Sequence, residues 1–369
     1  MIKKLALTAL TFLVWALPGT SCAKQPVPDQ VLHAKSDSLV PGWINVLQQK
    51  AAQSKSETDQ VELALAYLQL ARQPGWSRYY DKAQQLLNAT QQPTSVTYWL
   101  ARADSAQQQH QFQHALNYLA TVQRLEPTNI NAILMINRIY LVQNNTAAAL
   151  KQCKKLQGQQ ELFLLSLCSL EATGRQGKTK DSYKALQLLA RQQHHLPLPQ
   201  RYWLLAVLAE QAEALQQKQQ ARSWLEQVIN TEQAPQAHLP LWVKWADLTL
   251  QSDSALVYRK LKYLHHQFQL EDALLLRLAL AEQQTASGVR YQQLMQQRVQ
   301  LREQRADTLH SADLAHYYLR LEPDYIKALH YAQLNFQQAQ EPDDHHLLTT
   351  ALQQVQQASA SLVYTGEHP

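Results

Sequence analysis

The chain of 369 residues contains few residues that interrupt helices or carry charge. It has only 8 glycines, and charged side chains make up only 17% of it, because glutamine replaces them over much of the polar surface. Alanine, leucine and glutamine dominate, and all three favour helix formation. The scarcity of glycine and the abundance of helix formers therefore predict an all-α fold. The length suits either two ordinary globular domains or one long array of repeats.

The chain also lacks a concentrated block of positive charge. Its formal net charge is +5, and its lysines and arginines are scattered along the sequence. A protein that binds nucleic acid needs a focused basic surface to neutralise phosphates. The sequence therefore predicts no nucleic-acid partner.

Common catalytic motifs are absent, including G-x-S-x-G, a phosphate-binding glycine loop and H-E-x-x-H. His110 and His114 have the spacing of two metal ligands on one helical turn, but we expect them at a solvated turn between helices. His345 and His346 follow two aspartates, which is typical of a helix that begins with acidic residues. We therefore predict a non-enzymatic protein with no cofactor and no metal site. A metal-dependent or cell-wall-directed accessory enzyme built on a helical solenoid is the alternative.

The first residues have the pattern of an export signal. An apolar run at residues 5–17 follows Lys3 and Lys4. The run is too short to cross a bilayer, which requires about 20 residues. Small residues flank Cys22 as they do at a signal-peptide cleavage site. We predict that residues 1–23 are a signal peptide and that the mature protein is periplasmic or secreted.

Cysteine is scarce as well, with 3 residues in the chain. Residues 19–22 (GTSC) resemble a bacterial lipoprotein box, so an outer-membrane lipoprotein acylated at Cys22 is the second option, with membrane contact only through that anchor. Without Cys22, an even pair remains, Cys153 and Cys168. These two are expected on neighbouring helices about 8–10 Å apart, so either a disulfide or two buried thiols fits. Residues 24–40 lack helical periodicity and predict a flexible linker.

A period of 34 residues organises the centre of the chain. Its two clearest copies lie within residues 93–156. A repeat of this size is typical of helix-turn-helix units that stack on one another. Residues that recur 34 positions later are Pro93 as Pro127, Leu100 as Leu134, Ala115 as Ala149 and Leu116 as Leu150.

This pattern resembles the tetratricopeptide repeat. The chain departs from that motif at Ala106, where tyrosine is preferred, and at Glu161, where a closing proline would fall. The resemblance implies a right-handed α-solenoid of about eight helix-turn-helix repeats. The positions that match are the aromatic residue Trp99, the small residue Ala115 and the closing Pro127 in the first copy, and Tyr140 and Ala149 in the second.

The small residue of the second helix recurs along the chain at intervals of 32 to 36 residues. We expect alanine there because the two helices of a unit cross closely. One interval of 73 residues contains a degenerate unit at residues 277–305, which gives about eight pairs. The solenoid is predicted over residues 41–358, with its last helix ending near Gln357 and a disordered tail at 359–369. Residues 174–180, rich in glycine and lysine, predict a looser loop. The recurring alanines are Ala83, Ala115, Ala149, Ala185, Ala221, Ala255 and Ala328.

The resemblance further implies a binding surface, because the first helices of such repeats line the concave face. In the two clearest repeats this face is expected to carry amide and charged side chains, with Leu100, Leu134 and Leu141 beside them. That mixture suits an extended peptide, so we expect a protein or peptide partner. The oligomeric state is left open, since glutamine-rich surfaces repel each other little. The predicted partner-binding residues are Asp104, Gln107, Gln108, Asn131 and Arg138.

Overall fold

The structure, a computed structural model, describes residues 40–54, 56–91, 93–159, 161–192, 195–232 and 234–365. Within these ranges the chain is α-helical and contains no β-strand, which confirms the predicted all-α fold. The helices are α1 (Gly42–Ser54), α2 (Glu57–Ala71), α3 (Tyr79–Ala89), α4 (Val96–Gln108), α5 (Phe112–Leu125), α6 (Ile130–Val142), α7 (Thr146–Cys153), α8 (Leu162–Thr173), α9 (Thr179–Gln192), α10 (Leu198–Ala214), α11 (Lys218–Ile229), α12 (Leu239–Leu250), α13 (Ser254–Gln267), α14 (Asp272–Gln284), α15 (Arg290–Gln304), α16 (Ser311–Arg320), α17 (Tyr325–Gln338) and α18 (Pro342–Thr365).

These helices pack as a stack of helical hairpins. The hairpins α2–α3, α4–α5, α6–α7, α8–α9, α10–α11, α12–α13, α14–α15 and α16–α17 form repeats 1 to 8, and each repeat packs on the next. Helix α1 precedes the first repeat, and α18 packs on α16 and α17 as a final helix without a second helix of its own. The predicted solenoid of about eight repeats is confirmed in the described residues.

The second helix of each repeat buries a stripe at helical spacing, as shown by Ala115, Leu119 and Val122 in α5, all 0% exposed. A small residue begins this stripe because the first helix crosses directly over it. The predicted alanine occupies this position in repeats 1, 2, 3, 5 and 8.

The prediction is wrong in two repeats. In repeat 4 the stripe begins at Ser182, whereas Ala185 is only partly buried. In repeat 6 it begins at Val257, which is fully buried, whereas Ala255 is exposed. Alanine is also the best helix former on an exposed face, so its presence alone did not identify the contact position. In the degenerate repeat 7, the aromatic Tyr291 fills the position.

The connection between α8 and α9 differs from its prediction. Residues 174–180 were expected to form a looser loop. They instead form a short π-helical turn, Gly174–Lys178, that joins α8 and α9 across a kink at Gly177, whose φ is +94°. Gly174 is buried against Gln211 of the next repeat. The start of the turn is therefore packed against repeat 5 next to Arg175, whereas residues 176–178 are exposed.

The solenoid is wound so tightly that its turns touch. The backbone N–H of Leu239 donates to the carbonyl of Arg72 at 2.8 Å, and the N–H of Gly75 donates to the carboxylate of Glu271, also at 2.8 Å. The rings of Trp76 and Phe268 pack beside them, with centroids 5.8 Å apart.

Two further contacts continue this line. The rings of His110 and His310 meet, with Nε2 of the first 3.3 Å from Nδ1 of the second. The N–H of Gln340 donates to the carbonyl of Val142 at 2.7 Å. The turns within repeats 1, 2 and 3 thus contact the loops that lead into repeats 6 to 8 and into α18. We call this line of contacts the seam.

The last helix extends beyond its predicted end, and most of the predicted N-terminal segments lie outside the described residues. Helix α18 runs to Thr365, eight residues past the end predicted near Gln357 and into the tail predicted at 359–369. The predicted signal peptide, Cys22 and all but the last residue of the predicted linker lie outside the described residues. None of the described helices combines the length and apolar character needed to cross a membrane.

Candidate partner-binding face

Charged side chains from the first helices of the repeats converge on the inside of the wound solenoid. We call this surface the inner face. Most of its ion pairs join neighbouring repeats, and those made by Glu341 and Asp343 join the start of α18 to repeats 3, 4 and 6. Arg72, at the end of α2, and Arg175 of the π-helical turn belong to this face, and the start of α18 adds Glu341 and Asp343. The residues from the first helices are Asp104, Arg138, Glu171, Glu210, Glu213, Lys244, Asp247, Arg277, Asp313 and Arg320.

Glu341 lies at the centre of the largest cluster on the inner face. One of its carboxylate oxygens accepts from Arg138 of repeat 3 at 2.9 Å, and the other accepts from Arg175 of repeat 4, also at 2.9 Å. Burial opposes ionisation of Glu341, but the two guanidinium groups outweigh burial and lower the pKa of its carboxyl. Glu341 is therefore a charged ligand held between two repeats.

Each of these arginines also has a carboxylate partner within the solenoid. Arg175 donates two parallel hydrogen bonds to Glu210 of repeat 5, both at 2.7 Å. Arg138 lies 3.7 Å from Glu171, whose carboxyl is buried. Burial raises the pKa of Glu171, although both arginines and a hydrogen bond from Trp203 favour its charged form. The arginines would thus keep a partner if Glu341 were withdrawn.

Lys244 of repeat 6 is a third cation that binds the start of α18. Lys244 Nζ lies 2.5 Å from Glu213 of repeat 5 and 2.8 Å from Asp343 of α18. Burial disfavours its charged form, but the two carboxylates prevail and raise the pKa of Lys244. Two carboxylates at the start of α18, two residues apart, are therefore bound by cations from three repeats.

A second cluster of ion pairs joins repeats 6, 7 and 8 on the inner face. Arg277, which is 3% exposed, binds Asp247 at 2.7 Å and Asp313 at 3.4 Å, while Arg320 binds Asp247 at 3.0 Å. Burial acts against ionisation of Asp247, but the arginines lower its pKa. Burial raises the pKa of Asp313 to about 6, because the charges of Arg277 and Arg302 do not compensate for it.

The structure places the predicted partner-binding residues in different settings. Asp104 is buried and accepts from Arg72 Nη2 through both carboxylate oxygens at 2.6 Å. Gln108 lies beside it, with Nε2 3.4 Å from Asp104 Oδ1. Gln107 is partly buried, and its Oε1 is without a hydrogen-bond partner among the described residues.

Repeat 3 holds the remaining two. Asn131 is exposed at the start of α6, and Arg138 is bound by Glu341. Leu141, expected beside them, is instead buried against Ala149 and Ala172 in the core. The structure therefore joins Asp104 to Gln108 but leaves Asn131 apart from them.

Sequence reasoning missed the residues that complete this face. Arg175 lies in the segment that was expected to be a loose loop. Asp343 is one of the aspartates predicted to begin the last helix, and Glu341 was assigned no role; their partners lie 99 and 203 residues away. Two acidic residues flanking a proline, before the last helix of a solenoid, were the one signal that pointed to them.

The histidine pairs do not form a metal site. His110 meets His310 across the seam, and burial lowers the pKa of His110 to about 4. His345 packs edge-on against the ring of Phe336. Within the described ranges, no group of three or more histidine, cysteine, aspartate or glutamate side chains is arranged to hold a metal ion.

Cys153 and Cys168 form a disulfide, with Cα atoms 5.6 Å apart. The bond joins the second helix of repeat 3 to the first helix of repeat 4, and both residues are fully buried. Asn137 donates from Nδ2 to Cys153 Sγ at 3.1 Å and to the carbonyl of Ala149 at 3.0 Å.

Comparison with solved structures identifies the same architecture. The chain is similar to the Cut9–Hcn1 hetero-tetramer of the APC/C, with a TM-score of 0.54 and 14% identity over 89% of this chain. It spans 63% of the length of that matched chain. A tetratricopeptide repeat protein from Parabacteroides merdae is 16% identical, with a TM-score of 0.44, covering 69% of this chain and 98% of that one. The TPR domain of P58(IPK) is 12% identical, with a TM-score of 0.23, covering 81% and 99%.

At these identities the likeness shows the fold alone. The fold is that of a tetratricopeptide-repeat solenoid, as the resemblance in the sequence implied. No family model matches the sequence. No curated protein matches it either.

Proposed function

We propose that the protein is a non-enzymatic interaction scaffold of the bacterial cell envelope, which binds a protein or peptide on its inner face. A tetratricopeptide-like fold supports an interaction role in general, because stacked repeats create an extended concave surface. The observation that carries the proposal is the binding of Glu341. Side chains from separate repeats hold its carboxylate as they would hold a side chain of a bound peptide.

The proposed contact surface lies on repeats 2 and 3. Asn131 is exposed there, and Gln107 has an unsatisfied amide oxygen that would accept from a peptide N–H. Arg138 retains 42% side-chain exposure despite its two carboxylate partners. Asp104 supports this surface from behind through its pair with Arg72 and is not proposed to contact the partner directly.

Two features support a location outside the cytoplasm. The first is the sequence of residues 1–23, which has the pattern of an export signal. The second is the buried disulfide between Cys153 and Cys168, since disulfides form and persist in oxidising compartments. We propose a periplasmic or secreted protein, with acylation at Cys22 as the alternative that would anchor it to the outer membrane.

Affinity capture from envelope extract of the encoding bacterium tests the proposal. The bait is the full chain, compared with an Asn131→Lys/Arg138→Gln variant of the inner face. The matched control is Gln113→Lys/Arg124→Gln, which makes the same changes at exposed positions on the second helix α5. We expect a specific protein that is retained by the wild type and the control and lost by the inner-face variant. Capture of the same proteins by all three baits, or of none, would refute binding on this face.

A further inference from the structure

The start of α18 occupies the inner face in the manner of a ligand. Only one backbone hydrogen bond, from Gln340 to Val142, ties this segment to repeat 3. The other polar contacts with the earlier repeats are ionic and made by two side chains, Glu341 and Asp343, while Ala339 beside them packs in the apolar cluster of repeats 2 and 3. Asp343 is 74% exposed at its side chain, so the segment sits at the edge of the interior, where solvent reaches it.

The cations that bind this segment do not depend on it. Arg175 keeps Glu210, Lys244 keeps Glu213 and Arg138 keeps Glu171 when Glu341 and Asp343 leave. Breaking a buried ion pair is costly chiefly when it leaves a charge unpaired. Here Arg175 and Lys244 keep hydrogen-bonding carboxylates, and Arg138, whose remaining partner Glu171 lies 3.7 Å away, is 42% exposed to solvent, so the segment is exchangeable at modest cost.

We propose that residues 341–343 are an intramolecular ligand, and that the site they fill binds an acidic segment of a foreign partner protein. We call Arg138, Arg175 and Lys244 the acid site. Its ligand has two carboxylates two residues apart, as in Glu-x-Asp, because the cations are spaced over three repeats to match that pattern. The inference rests on the proposed function and adds the chemistry of the partner and a means of control.

The intramolecular ligand sets the affinity for that partner. A tethered segment competes at a high effective concentration, so a free segment binds only to the fraction of molecules in which the tether has left. Residues 341–343 therefore occupy the acid site in the free protein, and a partner with a stronger or multivalent acidic segment displaces them.

Peptide binding tests the inference on a variant whose residues 341–343 no longer bind the acid site, which we call the unlatched variant. The variant is the full chain with Glu341→Gln and Asp343→Asn. It leaves Asp344 intact because that residue caps α18 by accepting from the Glu341 N–H. The probe is a fluorescent peptide of residues 338–346, measured by anisotropy. We expect binding to the unlatched variant at least about tenfold tighter than to the wild type.

Three controls define the site. A peptide with glutamine in place of Glu341 and asparagine in place of Asp343 is expected not to bind, and adding Arg138→Gln to the unlatched variant is expected to abolish binding. A variant with Glu62→Gln and Glu226→Gln removes the same charge from ion pairs outside the acid site and should behave like the wild type. Equal binding of the acidic peptide to wild type and unlatched protein, or equal binding of both peptides, would overturn the inference.

The variant's folding is checked by circular dichroism and its Tm. If it does not fold, the single Asp343→Asn variant replaces it, since Lys244 retains Glu213, and tighter binding than wild type is again expected. Dimers that form with rising protein concentration and require Glu341 would show that the acid site binds the acidic segment of a second copy of this chain. That result would overturn the proposal of a foreign partner. Peptide binding without an envelope partner would leave the acid site standing and the proposed function refuted. Capture of an envelope partner on the inner face, with no effect of unlatching on peptide binding, would support the proposed function and refute the acid site.

Discussion

Gly75 shows at the level of one residue how the solenoid closes on itself. Its φ of +85° is a conformation that side chains other than glycine adopt with strain. A Cβ added there would lie 2.4 Å from the Cβ of Phe268 and 3.2 Å from the carbonyl oxygen of Gln269. The absence of a side chain therefore permits the close approach of two turns of the superhelix.

Gly75→Ala is expected to destabilise the protein more than a matched change elsewhere. Gly158→Ala is the control, because Gly158 has a φ of +87° but nothing within 4 Å of an added Cβ. The control should cost about 1–2 kcal/mol through backbone strain. Gly75→Ala should cost at least about 1 kcal/mol more through the clash at the seam. Urea unfolding measures both, and equal costs would show that no seam forms at Gly75.

Histidines give the protein a dependence on pH. Burial lowers the pKa of His110, His238 and His265 to about 4 in the folded state, against an ordinary value of 6.5. Between those values the unfolded chain binds more protons, so the free energy of unfolding falls as pH falls through 6.5. Asp313 acts in the opposite direction, since its raised pKa lets the folded state hold a proton below about pH 6. Burial also raises the pKa of Glu171, Glu271 and Asp344, and it lowers the pKa of His310 and His316. Five histidines therefore outweigh four carboxyls.

We therefore expect urea unfolding to show lower stability at pH 5 than at pH 7. His110→Asn should reduce this difference, because the slope contributed by each proton is about 1.4 kcal/mol per pH unit. Asparagine suits the left-handed backbone of this position, where φ is +57°. Stability that is unchanged or higher at pH 5 would contradict the burial of these histidines.

At the level of helices, the sequence predicted the pairs but not every contact within them. The period of 34 residues locates the hairpins, because each unit repeats the same crossing of two helices. It did not identify Ser182 and Val257 as the crossing residues of repeats 4 and 6, since either can replace alanine at the crossing, and exposed alanines stood nearby. The contact position is defined by packing and only indirectly by residue type.

A pair of substitutions checks this assignment of the crossing positions. Ala221 is fully buried where α11 crosses α10, whereas Ala255 is exposed on α13. Ala221→Leu should cost about 1–3 kcal/mol by overpacking. Ala255→Leu should change stability by less than about 0.5 kcal/mol. Similar effects of both substitutions on the Tm would show that the crossing has been assigned to the wrong face.

The disulfide between repeats 3 and 4 offers a second test at this scale. It closes a loop with a sequence separation of 15 residues, for which loop entropy predicts about 3 kcal/mol of stabilisation. Reducing agent should therefore lower the urea midpoint of the wild type. The Cys153→Ala/Cys168→Ala variant should be insensitive to the reductant. A wild type that is equally insensitive would indicate that the two sulfurs are not bonded.

At the scale of the whole molecule, the sequence predicted a solenoid with a binding face but not its closure. Asp104 and Arg138 were correctly assigned to first helices, yet their settings depend on residues far away in the chain. Glu341 lies 203 residues from Arg138, and Glu271 lies 196 residues from Gly75. Such contacts result from the small rotation between repeats accumulated over five units, which no local pattern encodes.

Closure also explains why the inner face is richly charged but largely paired. Its arginines and carboxylates come from repeats that an open superhelix would hold apart. Charges that meet across an interior are stabilising only when each finds a partner. The inner face is thus the interior of the wound molecule, and it is the surface on which we propose that a partner competes with residues 341–343.

The distance across the seam tests the wound solenoid most directly. Spin labels are placed at Ser77→Cys and Gln269→Cys on the full chain carrying Cys22→Ser, with Cys153 and Cys168 held in their disulfide. Ser77 lies next to Glu271 across the seam, with its N–H 3.2 Å from that carboxylate. We predict strong dipolar broadening in the double-labelled protein and none in either single-labelled one. A double-labelled spectrum equal to the sum of the two single-labelled spectra would show that the turns do not meet.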